Sequence, residues 1–146
     1  MEKLQLKHLL GYLPYGLTGL DELNQEVKII GVKNETYFVE FGYNYPYGEI
    51  QSLRPILHPL SDLKKQITID EITFVPDTWI CDNIKRDVEI YQFLNDKISL
   101  DIETENYNQT IDLMSGYLII QKLNEWHFDW QGLIDKGLAI DINTLK

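Results

Sequence analysis

Short β-rich runs alternate with helical ones along this chain. VKIIGVK (27–33) and TYFVEFG (36–42) are rich in β-branched and aromatic residues and meet at Asn34-Glu35. That pattern predicts a hairpin with a two-residue turn. ITIDEITFV (67–75) reads as a strand pair, or as one strand bent at Asp70-Glu71. KISLDIETE (97–105) sets Ile98, Leu100 and Ile102 against Ser99, Asp101 and Glu103, a half-buried strand with an acidic outer face. LAIDI (138–142) alternates again and predicts a last strand returning to the sheet. Helical spacing of Ile84, Val88, Tyr91 and Leu94 predicts a helix over 82–95. A second helix is predicted from Asn108, as its cap, through QTIDLMSGYLIIQKLNEW, with Ile111, Met114, Leu118, Ile119, Lys122 and Leu123 tracing its inner face. Gly116 weakens it by about 1 kcal/mol relative to Ala and marks a place for close packing. Asp129 can cap a short helix, WQGLIDK (130–136), that stops at Gly137.

The punctuation between these runs is strong. LQLKHLL (4–10) is a mixed signal for a short helix or a strand, and GYLPYGLTG then breaks it with Pro14 and three glycines. The tripeptide Pro-Tyr-Gly occurs at 14–16 and again at 46–48, each fitting a turn with Pro second and Gly fourth. Pro55 and Pro59 rule out a helix across 54–60, and Ser61 or Asp62 can cap a short helix in DLKKQI. The expected fold class is α+β: a small, mainly antiparallel sheet with two or three helices packed on it.

At 146 residues the chain fits one domain, 1–146. A domain of this size buries roughly two-thirds of its unfolded surface and needs no disulfide or metal to fold. The single cysteine, Cys81, suits a reducing cytosol, so the expected location is cytoplasmic. Neither a signal peptide nor a membrane span is read from the sequence. Charge changes the picture more. Net charge is −10. Residues 1–66 carry 7 Lys/Arg and 8 Asp/Glu, a balance of −1; residues 67–146 carry 6 and 15, a balance of −9. Such a field repels phosphate backbones and attracts basic surfaces. Direct nucleic-acid binding is therefore not expected. The acidity serves solubility, or it forms a face that docks on a basic partner.

Candidate chemistry centres on EWHFDW (125–130). On a strand, Glu125, His127 and Asp129 would share one face, a donor set suited to a metal or to acid–base work. The alternative is structural: a helix end, aromatic residues turned inward, and Asp129 as a cap. Three ligands this close in sequence rarely converge on one ion, which favours the structural reading. His8 and His58 are isolated, and Cys81 follows the apolar Trp79-Ile80. Glycine-rich phosphate loops, His-Glu-x-x-His, Cys-x-x-Cys, calcium loops and nucleophile elbows are missing from the sequence. DIETE (101–105) looks like part of a nuclease motif, but an exposed acidic strand face is the better account. No cofactor and no metal site is expected, and no residue is assigned a catalytic role.

Tyr12, Tyr15, Tyr43, Tyr45 and Tyr47 all fall in turn-like segments. Loop tyrosines cover a core edge or anchor interfaces, bringing contact area at low entropic cost. YLPYGL, LRPILHPLSDL and LNEWHFDWQGLIDKGLAIDINTL, in that order, resemble a group of small, mostly uncharacterised proteins encoded by phages and prophages. The resemblance implies no known activity. It implies a mobile-element setting, where compact acidic proteins often bind a host protein, and some inhibit nucleic-acid-guided defence enzymes (anti-CRISPR proteins) whose channels are basic. The leading expectation is thus a non-enzymatic accessory protein that docks an acidic face on a basic protein partner. Asp87, Glu89, Asp101, Glu103 and Glu105 would supply the field, and Tyr45 and Tyr47 the packed anchors. One alternative is a structural or assembly module acting as a homo-oligomer. Another is a small metal-dependent enzyme built on Glu125, His127 and Asp129. The sequence leaves the oligomeric state open.

Overall fold

A computed structural model describes residues 2–40, 46–84 and 113–145. In chain order the strands are β1 (Thr18–Leu20), β2 (Glu26–Lys33), β3 (Thr36–Val39), β4 (Tyr47–Glu49), β5 (Arg54–Leu57), β6 (Ile67–Ile69), β7 (Ile72–Phe74) and β8 (Ile140–Asp141). The α-helices are α1 (Leu6–Leu9), α2 (Pro76–Asn83) and α3 (Leu113–Glu125). The fold is α+β, as the alternating runs predict. Contacts divide the chain into two compact units, residues 1–59 with 124–146, and residues 60–123.

The first unit holds a sheet in the order β4-β3-β2-β1-β5-β8. Every neighbouring pair is antiparallel except β5 with β8. Local chemistry explains the turns. Between β1 and β2, Asp21 Oδ1 accepts the N–H of Leu23 at 2.8 Å and of Gln25 at 2.9 Å, and Asn24 takes φ 61°. Between β2 and β3 the two-residue turn is present, with Lys33 opposite Thr36 and Asn34 at φ 57°. Asn tolerates this left-handed conformation better than other residues with a side chain. The register slips between Ile29 and Gly31, leaving Ile30 as a bulge. Pro55, the second residue of β5, lies where pairing with β1 ends, and pairing with β8 begins at Ile56.

Alternation then sorts the faces. Val27 and Ile29 on β2 and Tyr37 and Val39 on β3 point into the core. Leu4, Leu9, Tyr12, Leu17, Ile50, Leu53, Leu57, Leu133 and Ala139 complete it, so both ends of the chain line one cluster. LQLKHLL resolves as the single-turn α1, and the first Pro-Tyr-Gly forms a 3₁₀ turn, Leu13–Tyr15, closed by Gly16 at φ 71°. The second does not remain a turn: Tyr47 and Gly48 enter β4, because they pair with Phe38 and Tyr37. The predicted last strand forms as β8, only two residues long and parallel to β5.

The second unit begins with a 3₁₀ turn, Leu60–Lys64, where a short helix was expected. ITIDEITFV is the hairpin β6-β7, not a bent strand, with Asp70 at φ 51° and Glu71 at φ 69°. Two left-handed residues make the turn whose twist matches paired strands. Of the helix expected over 82–95, only Asp82, Asn83 and Ile84 are described, and the first two close a helix that begins earlier. Helix α2 runs Pro76–Asn83, with Pro76 at the first position, where its missing N–H costs nothing. Its end is held by Asn83, whose side-chain amide donates to the Trp79 carbonyl at 2.8 Å. Residues 85–96, the strand predicted over 97–105 and the Asn108 cap lie outside the described residues. Along α3, Ile119 and Leu123 are buried as expected, but Leu118 is 38% exposed, so the inner stripe is narrower than predicted. Gly116 is buried. Lys122 Nζ lies 4.7 Å from the centre of the Trp79 ring, a cation–π contact. Among the described residues no helix is long and apolar enough to cross a membrane.

The β6-β7 turn offers a direct test. Glu71 has a side chain in a conformation that costs about 1–2 kcal/mol outside glycine. Glu71→Gly should therefore raise stability by about 1 kcal/mol, read as a higher urea midpoint at unchanged slope. A lower midpoint would refute the strain assigned to this turn.

Candidate functional site

The segment that follows α3 carries the buried carboxylate Asp129, close to the buried Asn124 at the helix end. The helix stops at Glu125, and His127 at φ 59° reverses the chain. Phe128 then lies beside β5. The His58 N–H donates to the His127 carbonyl at 2.8 Å, and the Asp129 N–H donates to the His58 carbonyl at 2.9 Å, a parallel bridge between His58 and Phe128. The His58 ring stacks on Phe128, centroids 5.1 Å apart. Phe128 and Trp126 are buried, and Trp130 donates its indole N–H to Asn124 Oδ1 at 2.8 Å. Asn124 fits there because its neighbour is Gly11: a Cβ on Gly11 would sit 2.6 Å from the Asn124 amide nitrogen.

Each titratable group of the segment has a structural partner. His127 Nε2 lies 2.8 Å from the Tyr15 carbonyl. A carbonyl only accepts, so Nε2 carries the proton and the neutral ring keeps its lone pair on Nδ1. Burial holds the His127 pKa below the usual 6.5, against the pull of the Tyr15 carbonyl. Asp129 is 5% exposed. Its Oδ1 accepts the Leu133 N–H at 2.7 Å and its Oδ2 the Ile134 N–H at 2.8 Å. Burial pushes its pKa up, opposed by those backbone donors. Tyr12 is fully buried and donates its hydroxyl proton to the Phe128 carbonyl at 2.7 Å; burial raises its pKa strongly. Tyr12 is thus a core residue, not a surface anchor.

The predicted metal set is not brought together. Among the described residues no group of three His, Cys, Asp or Glu is placed to hold a metal ion. The physical reason is the reversal at His127, which sends the imidazole to Tyr15 while Asp129 turns to the backbone ahead of it. Asp129 caps as predicted, yet 130–136 forms successive turns and no helix. Gly132 at φ 77° interrupts it. Gly137, at φ 74°, does close the segment, with Leu138 N–H returning to the Leu133 carbonyl at 2.9 Å. The other histidine, His8, is 6% exposed; its Nδ1 accepts the Gln5 N–H at 2.9 Å, and burial lowers its pKa. Cys81 lies half-buried in α2.

Of the predicted partner-binding residues, Tyr47 is described and is 61% exposed on β4. Tyr45, Asp87, Glu89, Asp101, Glu103 and Glu105 lie outside the described residues. Around Tyr47 the structure adds two residues that sequence reasoning missed. Phe38 lies opposite it on β3, 38% exposed, with ring centroids 6.4 Å apart. Ile30, the bulged residue on β2, is 65% exposed. Phe38 was recoverable: if Tyr37 and Val39 face inward, Phe38 must face out. Ile30 was not, because a bulge leaves no mark in an apolar run. No family model, curated protein or solved structure matches the chain.

Two measurements check the 125–130 segment. A histidine whose folded pKa is depressed binds protons more readily when unfolded, so stability is full above about 6.5 and falls as pH drops below it. His8 acts in the same direction. Urea midpoints should therefore fall from pH 7 toward pH 5, and His127→Asn should flatten the slope in part; an unchanged slope would contradict a buried neutral His127. Asp129→Ala removes the acceptor of two backbone donors and should lower stability by about 1–3 kcal/mol. A loss under about 0.5 kcal/mol, within the range of surface substitutions, would contradict its role as the cap.

Proposed function

We propose that this protein is a non-enzymatic accessory protein of a phage or mobile element, and that it works by binding another protein. The observation that carries the reading is the exposed apolar row of Tyr47, Phe38 and Ile30 across three neighbouring strands. Aromatic residues exposed together on a rigid sheet are a contact surface in search of a partner. The reading draws further support from EWHFDW, whose His127 and Asp129 are engaged in holding the fold.

The more specific version is an inhibitor in the host cytoplasm that docks on a basic nucleic-acid-binding effector. Its support is the balance of −9 over residues 67–146, which contain Asp87, Glu89, Asp101, Glu103 and Glu105. A basic channel evolved for phosphates attracts such a surface, and the attraction is screened by salt. Tyr47 would be the anchor that gives the encounter a fixed register.

The test is capture of host proteins on the immobilised protein at low and high salt, with Tyr47→Ala beside the wild type. The expected result is a basic, nucleic-acid-binding species that is lost as salt rises. Tyr47→Ala should hold it about tenfold more weakly. Capture that is flat in salt would remove the electrostatic version. Capture that ignores Tyr47→Ala would remove the anchor.

A further inference from the structure

The charges around the apolar row are ordered in a way that specifies its occupant. Strand register places three rows across the outer face of β4, β3 and β2. Glu49, Thr36 and Lys33 form the first, because Thr36 pairs with both Glu49 and Lys33. Tyr47, Phe38 and Gly31, with the bulged Ile30 beside it, form the second. Glu40 and Lys28 form the third, joined by the Glu40 N–H to the Lys28 carbonyl at 3.0 Å. Glu49, Lys33, Glu40 and Lys28 are all exposed. Among the described residues neither Glu49 nor Lys33 has an ion-pair partner.

From this layout we infer that the face receives a second copy of this chain, packed sheet on sheet about a two-fold axis parallel to β3. The inference rests on the reading of this face as a protein-binding surface: the second copy occupies it when the host protein is absent, and the two compete for Tyr47. Rotation about that axis lays β4 of one copy over β2 of the other and keeps the rows level. Glu49 then faces Lys33 of the second copy, and Lys33 faces its Glu49. Tyr47 enters the space over Gly31, which has no side chain, and packs beside Ile30. The two Phe38 rings meet at the axis. The two Glu40 carboxylates lie near the axis, each between the Lys28 ammonium groups of the two copies. The perpendicular two-fold is unfavourable, since it sets Lys33 over Lys28 and leaves both amines facing a like charge. An isologous contact must be self-complementary in this sense.

Three strands spaced about 4.8 Å apart make a small face, below the area of a standard stable interface. The dimer is therefore a weak one, concentration-dependent in the micromolar range.

Sedimentation velocity and light scattering of the purified full chain, from about 1 μM to about 500 μM, test this. The wild type is expected to shift from monomer to dimer within that range. Phe38→Asp, at an exposed position that leaves the core intact, should remain monomeric throughout, with an unchanged circular dichroism spectrum. Lys33→Glu alone and Glu49→Lys alone should each weaken dimerisation about tenfold, since each places like charges together at two symmetric points. The double variant Lys33→Glu/Glu49→Lys exchanges the charges and should restore it. A monomeric wild type at the highest concentration overturns the inference, as does a double variant no better than the single ones. Either failure leaves the host-partner reading standing if Tyr47→Ala still weakens capture. A dimer that forms as stated while Tyr47→Ala leaves capture unchanged removes only the host-partner anchor.

Discussion

One buried hydrogen bond ties the first unit together: the Tyr12 hydroxyl donates to the Phe128 carbonyl across 116 residues of sequence. Both residues are fully buried, so neither group can turn to water if the other is lost. The bond fixes the chain after α3 against the N-terminal turns, and three further contacts depend on that placement. Tyr15 offers its carbonyl to His127, His58 brackets Phe128 through both its N–H and its carbonyl, and Gly11 makes room for the Asn124 side chain that holds Trp130. The core is completed by Leu133 and Ala139 only because this segment returns to it. Closing a loop of this length carries an entropic cost that grows slowly with its length. Several buried contacts made together offset it better than one.

This arrangement also explains why Glu125, His127 and Asp129 do not converge on one metal position. An imidazole and a carboxylate are placed where the backbone has unsatisfied donors and acceptors. The chain reversal at His127 exposes such groups, and nearby side chains satisfy them. Burial moves both groups toward their neutral forms, the histidine downward and the aspartate upward in pKa. Neutral forms are the ones a hydrogen-bonded interior accepts at least cost. The chemistry of EWHFDW is used to hold the chain.

The outer face of the sheet is under the opposite constraint. Alternation directs every second residue of β3 and β4 to solvent, so an apolar inner row of Tyr37 and Val39 can accompany polar outer positions. Thr36, Glu40 and Glu49 obey that rule, whereas Phe38 and Tyr47 do not. The bulge adds Ile30 to the same neighbourhood. A sheet edge that carries aromatic side chains between charged ones combines an attractive centre with a rim that restricts the geometry of approach. The acidic excess lies in a different part of the chain, residues 67–146.

Local sequence chemistry determined the elements whose causes are local. The turn at Asn34-Glu35, the pairing around Asp70-Glu71, the cap at Asp129 and the stop at Gly137 follow from side chains acting within a few residues. The α+β class follows from the periods themselves. Tertiary structure decided what depends on partners far along the chain. Tyr12 became core and Tyr47 surface, although both are turn-adjacent tyrosines, because only Tyr12 meets the buried Phe128 carbonyl. Likewise, Glu125, His127 and Asp129 share a spacing that suits a strand. One positive φ at His127 separates them, and that angle is held by contacts with His58 and Tyr15. Spacing fixes which side chains can share a face; only distant contacts determine whether the backbone keeps that face.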